Sequence, residues 1–232
     1  MPVPAELDYE MWQGPAVRRP YTEKRVHPRH DAKGRPGWLC IRDYADGMLA
    51  NWGAHLNDIA LWGADLDRTG PVAVEGTGKF PPEGNLWDII SEFDVTFTYA
   101  NGVTLHCQTI SPAIRWEGTE GWIRVGYPKE IDAQPESILD WRPGPNDVHL
   151  TFKASEKRDF LDAVKSRGPV LYDCEAGHRN NSLAHLSLVA IPLGRKLRWD
   201  PVRERFLGDD EANARLKPVA WREPWNKLAQ GG

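Results

Sequence analysis

The chain has 232 residues, of which 41% are hydrophobic and 27% charged, with a formal net charge of −4. That length suits one generous domain, or one domain with extensions, and the apolar share is enough for a full core. The slight acidity argues against a general nucleic-acid binder, and no apolar run approaches the roughly 20 residues needed to cross a bilayer.

Residues 1–37 are rich in proline and charge and read as an N-terminal arm or linker, with a short helix around Glu6–Gln13 and then a loop. Arg18-Arg19 and Lys24-Arg25 sit close to acids and read as a solvated surface. His27 and His30 have ligand-like spacing, but no further ligand is near them in sequence, so a solvated loop is expected. Met48–Ala64 is the first strong helical pattern. It stacks Asn51, His55 and Asp58 at i, i+4 and i+7 on one face. Leu49, Trp52, Leu56 and Ile59 give it a broad apolar region for packing. Gly70-Pro71 breaks the chain.

Val72–Phe80 reads as a strand of mixed pattern. Glu92–Tyr99 alternates cleanly, with Phe93, Val95, Phe97 and Tyr99 on one side and Glu92, Asp94, Thr96 and Thr98 on the other. Asn101-Gly102 is a strong hairpin signal, and Val103–Ile110 its returning strand. Ala113–Glu117 and Trp122–Val125 follow, so a meander of antiparallel strands is expected, one face apolar and the other polar. Pro128, Pro135, Pro143 and Pro145 mark an irregular excursion. Ser155–Arg167 is helical, with Phe160, Leu161 and Val164 on one side and Gly168-Pro169 as its stop. Asp173–Leu193 is the longest helical candidate, with Leu183, Leu186, Ala190 and Leu193 as its stripe and Pro192 to end or kink it. A short helix is expected over Asp210–Leu216, then a loosely packed tail through Trp221 and Trp225.

Cys40, Cys107 and Cys174 are odd in number and widely spaced. They point to reduced thiols and a cytoplasmic setting, without zinc-ligand spacing. The N-terminus shows no basic region followed by an apolar run, so no signal peptide is visible. Eleven tryptophans are a high count for this length. Aromatic faces stack on sugar rings, but cores and interfaces also use them. No G-x-S-x-G marks a nucleophile elbow.

Several stretches, taken in order, resemble one family. They are Leu7–Ala16, the segment from Gly37 through Gly47, Asn51, His55 and Asp58, then Glu117–Ile123, Gly177–Ser182 and Gly194–Pro201. Together they are similar to the second domain of the glucose–fructose oxidoreductase/inositol dehydrogenase (Gfo/Idh/MocA) family. The resemblance implies an α+β fold: an open-faced, mainly antiparallel sheet with helices packed on one face, here over residues 38–232. It also implies that the uncovered face forms a homo-oligomer. In the family an Asp-x-x-x-His pair works with a lysine from a nucleotide-binding domain. Here the pair reads Asn51-x-x-x-His55.

The resemblance makes His55 the proton-transfer or hydroxyl-orienting residue, suited by an unperturbed pKa near 6.5. Asn51 can donate to and accept from sugar hydroxyls but cannot carry a proton away. Asp58 is the second family acid, able to orient the His55 ring or to stay a surface carboxylate. Arg42 lies in the segment that would line the sugar cleft, unless Asp43 or Asp46 pairs with it. His178 and Arg179 match a family element whose safer reading is capping or an interface.

The resemblance implies a sugar or polyol ligand, and NAD or NADP as cofactor of the full-length family. No G-x-G-x-x-G follows a strand here, and no Glu-Lys-Pro carries the partner lysine. The nucleotide-binding domain is therefore expected to be missing and the chain to bind no cofactor alone. Three functions stay open. The first is the substrate-binding and oligomerisation domain of an NAD(P)-dependent sugar or polyol oxidoreductase. The second is a free-standing, non-catalytic sugar-binding or assembly protein of that ancestry. The third is a lyase or epimerase working without bound nucleotide.

Overall fold

A computed structural model describes residues 1–27, 37–217 and 219–229, so the His30 of the sequence reading lies outside the described residues. In chain order the elements begin with α1 (Tyr9–Gln13), α2 (Glu23–Val26), a 3-10 turn at Gly37–Cys40, α3 (Gly47–Asn51) and α4 (Gly53–Gly63). Strands β1 (Ala73–Lys79), β2 (Glu92–Thr98), β3 (Thr104–Gln108), β4 (Ala113–Gly118), β5 (Gly121–Gly126) and β6 (Glu130–Gln134) follow. After a second 3-10 turn at Glu136–Asp140 come α5 (Glu156–Ser166), α6 (Cys174–Leu193), β7 (Leu197–Asp200), β8 (Arg205–Phe206), α7 (Asp210–Ala214) and α8 (Asn226–Ala229). The chain divides into two compact units. One holds residues 1–53, 71–109 and 183–232, the other residues 54–70 and 110–182.

The first unit is built on a five-stranded sheet in the order β3-β2-β1-β7-β8, all neighbours antiparallel. Register puts Val74, Phe97 and Leu105 in one cross-strand row and Gly76, Val95 and Cys107 in the next. Val74, Val95 and Phe97 are fully buried, as the alternation in β2 predicts. The later half of α6 supplies Leu183, Leu186 and Ala190 to the same core. Gly78 explains why β1 lacks a clean alternation: a Cβ there would come within 2.4 Å of the Ile90 side chain and 3.1 Å of Ile191. Glycine is what lets neighbouring side chains lie on the strand backbone.

The opposite face of this sheet is polar. Glu75, Thr96 and His106 form one row and Thr77, Asp94 and Gln108 the next. Thr96 Oγ1 and His106 Nδ1 lie 3.0 Å apart, Gln108 donates to Asp94 at 2.9 Å, and Lys196 pairs with Glu75 at 2.8 Å.

Residues 1–27 are more embedded than an arm would be. Tyr9, Gln13 and Tyr21 are buried, and Tyr9 stacks on Trp12, which in turn meets Tyr44 edge-on. The tail is not loose either, since Arg222 Nε donates to the Ala16 carbonyl at 2.6 Å and the same guanidinium pairs with Glu10.

The second unit carries a separate three-stranded sheet, β4-β5-β6. The expected single meander is thus two sheets. Pro112 has no N–H to continue the ladder, and its carbonyl accepts from Tyr127 beside β4 and β5. The stretch read as irregular contains β6, whose alternation of Ile131 and Ala133 with Glu130, Asp132 and Gln134 was masked by flanking prolines.

Three other expectations are corrected. The hairpin turn spans Tyr99–Gly102, with Gly102 N–H on the Tyr99 carbonyl and Gly102 at φ +89°, rather than a two-residue Asn-Gly turn. The helix predicted over Met48–Ala64 is divided at Trp52, just before Gly53, a poor helix former. Ile59 is 43% exposed, and Phe160, Leu161 and Val164 of α5 are 46–61% exposed, so those apolar positions do not enter the core of the chain. α5 itself starts where expected, the Ser155 hydroxyl accepting from Arg158 N–H.

Truncating the fully buried Phe97 removes a ring from the centre of the first unit. Phe97→Ala is expected to cost about 3–5 kcal/mol, read as a lowered urea midpoint with an unchanged slope.

Candidate functional site

α4 places His55 and Asp58 three residues apart, His55 exposed and Asp58 half-buried. Both belong to the second unit, with the start of α6. The buried side chain there is Asn180. Its Nδ2 donates to the Ala54 carbonyl at the beginning of α4, 3.1 Å away, and to the Tyr172 hydroxyl at 3.4 Å. The Tyr172 phenol in turn acts on the Asp58 carboxylate. Asn180 Oδ1 has no hydrogen-bond partner among the described residues although it is buried. Asn180 therefore ties the start of α4 to the Tyr172 phenol.

The electrostatics of Asp58 follow from this setting. Burial raises its carboxyl above the ordinary carboxylate range, and the charge of Asp67 adds to that. The Tyr172 hydrogen bond and the charge of His55 oppose it without cancelling it. Burial also pushes the Tyr172 phenol up, the charge of Asp58 reinforcing the shift. The loop after α4 is tied to the start of α6 by Arg68, which pairs with Asp173 at 2.7 Å. Asp173 caps the helix by accepting from Ala176 N–H at 3.0 Å, and this bond and Arg68 hold its carboxyl below the usual range.

The other sequence-derived candidates lie in the first unit. Asn51 is exposed at the end of α3. Arg42 has an exposed side chain, and its backbone N–H donates to Asp88 at 2.8 Å. The carboxylates that would have held Arg42 pair elsewhere, Asp43 with Arg19 at 3.0 Å and Asp46 with His185 at 3.3 Å. Arg179 pairs with Glu175 along α6 at 2.7 Å.

Tyr172 and Asn180 were given no role from sequence. Asn180 lies in the Gly177–Ser182 stretch that resembles the family, within a polar run of α6 that does not single it out. Nothing in the sequence around Tyr172 pointed to Asp58, which is 114 positions away.

Among the described residues no group of three or more His, Cys, Asp or Glu is placed to hold a metal ion. No described helix is long and apolar enough to cross a membrane. The three cysteines form no disulfide.

Because the folded pKa of Asp58 is raised, its ionisation costs stability. The cost is absent in acid, grows as pH rises from the unfolded carboxylate value to the folded one, and stays constant above it. Asp58→Asn should therefore gain stability relative to the parent as pH rises from about 4 towards neutrality, measured by thermal melts across that range. Tyr172→Phe should move the Asp58 carboxyl resonance titration further upward and lose about 0.5–1 kcal/mol, discounted for the half-exposed phenol.

The family described as "Oxidoreductase family, C-terminal alpha/beta domain" (Gfo/Idh/MocA) matches residues 1–227. No curated protein matches the sequence. Among solved structures, the fold is similar to aldose-aldose oxidoreductase from Caulobacter crescentus complexed with glycerol. That match has 16% identity and a TM-score of 0.54, over 69% of this chain and 50% of that one. It is also similar to an NAD-binding protein from Listeria innocua, with 19% identity, a TM-score of 0.52 and coverage of 75% and 57%. A third likeness is to an oxidoreductase from Thermotoga maritima described as putative, at 18% identity, a TM-score of 0.53 and coverage of 74% and 52%. The chain thus spans about half the length of the solved structures it resembles. It belongs to the Gfo/Idh/MocA oxidoreductases, as a member of their C-terminal α/β domain family.

Proposed function

We propose that these residues form the substrate-binding and self-association part of a nicotinamide-dependent oxidoreductase acting on a sugar or polyol. The nucleotide is held outside this chain, in a cytoplasmic enzyme. The observation that carries the reading is His55, exposed on α4 with the half-buried Asp58 beside it. Membership of the family supports the reaction class. The relatives named above include an aldose-aldose oxidoreductase with glycerol and an NAD-binding protein, which supports the ligand and cofactor classes.

The described residues do not fit the cofactor itself. Every strand pairing described is antiparallel, and no glycine-rich turn leads from a strand into a helix, so a βαβ phosphate cradle is not formed. When bound elsewhere, a nicotinamide would supply the hydride acceptor.

This chain's part is the proton. His55 takes the proton of the alcohol being oxidised at an imidazole nitrogen. Asp58, when ionised, favours the resulting imidazolium by charge and is itself steadied by Tyr172.

One observation favours the alternative, a non-catalytic sugar-binding or assembly protein: the amide at Asn51 where the family pattern has a carboxylate. Turnover of a polyol panel decides between them, with the chain supplied with a nicotinamide-binding domain in cis or in trans. His55→Ala should reduce turnover by about 10²–10⁴-fold, as loss of a general base does. Asn51→Asp, which restores the carboxylate of the family pattern, should raise it. Equal activity of the parent and His55→Ala proteins would leave only the binding role.

Self-association is assigned to the polar face of the five-stranded sheet, where Thr96, Thr98, Glu75 and Gln108 alternate with the buried side. Lysine at Thr96 or Thr98 should lower the sedimentation coefficient to that of a monomer while leaving the circular dichroism unchanged. A monomeric parent protein at high concentration would remove this assignment.

A further inference from the structure

The second unit contains a groove of about 620 Å³ at the end of the β4–β5 hairpin, within the size range of small-ligand sites. Three of the chain's tryptophans line it, Trp116, Trp122 and Trp141, together with Thr119, Glu120 and Ser137. None of these residues belongs to the α4 site proposed above, so the inference does not rest on that reading.

Two of the three indoles are fixed before any ligand arrives. Trp116 Nε1 donates to the Ala60 carbonyl at 3.3 Å, and its ring lies so close to Gly63 that a Cβ there would come within 2.9 Å. Trp122 is held by the Arg115 guanidinium, 4.5 Å from its ring centroid. Rings fixed in advance lose little freedom when a ligand binds. The third indole, Trp141, is 62% exposed. A large exposed indole beside two anchored ones presents apolar area that a ligand can cover.

The polar groups restrict what that ligand can be. Glu120 in the hairpin turn, Thr119 beside it and Ser137 in the following 3-10 turn are exposed. A carboxylate accepts two hydrogen bonds side by side and the hydroxyls both donate and accept. A pure hydrocarbon would leave these groups without partners, and an anion would face Glu120. A neutral ring with C–H faces and neighbouring equatorial hydroxyls meets both demands: its faces lie on indole and its rim bonds to carboxylate and hydroxyls. We infer that the groove defined by Trp116, Trp122 and Trp141 binds a neutral pyranose, with Trp141 as the stacking platform and Glu120 as the acceptor of vicinal hydroxyls.

The test uses the full 232-residue chain with methyl β-glucopyranoside and cellobiose as probes, followed by calorimetry and by shifts of the indole N–H resonances. Saturable binding that perturbs those indoles is expected. Trp141→Ala should weaken it about tenfold, and Glu120→Gln should weaken it in the same direction. Trp141 is largely exposed, so its removal leaves the fold intact, as circular dichroism would verify. The inference is overturned if neither saccharide binds, or if binding survives Trp141→Ala. It is equally overturned if the saccharides bind without shifting the indole resonances of Trp116, Trp122 or Trp141, which would place the sugar elsewhere. A changed sedimentation coefficient in Trp141→Ala without an effect on saccharide binding would make the groove a contact between copies and overturn it too.

Discussion

The core of the first unit depends on how closely side chains can approach β1. Gly76 and Gly78 leave its backbone bare, so Ile90 and Ile191 occupy space that any Cβ at Gly78 would fill. Valine or threonine there would satisfy strand propensity better, yet would drive the covering residues off the sheet. Close approach lets Val74, Val95 and Phe97 reach complete burial in a sheet of only five strands. The polar face behind them keeps its own cross-strand bonds, from Thr96 to His106 and from Gln108 to Asp94. The sheet is apolar on one side and hydrogen-bonded on the other, which suits a surface that meets a second polar surface.

The second unit combines a small apolar core, with Leu61, Leu66 and Ile114 buried, and the buried amide of Asn180. Asn180 donates to the Ala54 carbonyl near the start of α4 and to the Tyr172 phenol. Asp58 is partly desolvated, which is why its carboxyl sits above the ordinary range despite the phenol.

The groove follows a different logic from the α4 site. Its tryptophans are fixed by one carbonyl, one guanidinium and one glycine, contacts that cost little surface and leave ring area uncovered. An indole that served only the core would be covered; Trp141 is not. The two features sit on the same unit without sharing a side chain.

Much of this was legible from residue order. The alternation of β2, the serine cap and stop of α5, and the stripe of α6 each follow from local sterics and hydrogen bonding, which neighbouring residues settle among themselves. Asn51 ends α3 while His55 and Asp58 lie on α4, two helices where the sequence offered one. The tertiary structure decided what local rules leave open. The strands fall into two sheets on either side of Pro112, which has no N–H to extend a ladder. Phe160, Leu161 and Val164 keep their helical spacing but remain exposed, because periodicity names a face without naming what covers it. The links from Asn180 and Tyr172 to α4 join positions more than a hundred residues apart, and only folding, not sequence spacing, brings such side chains together.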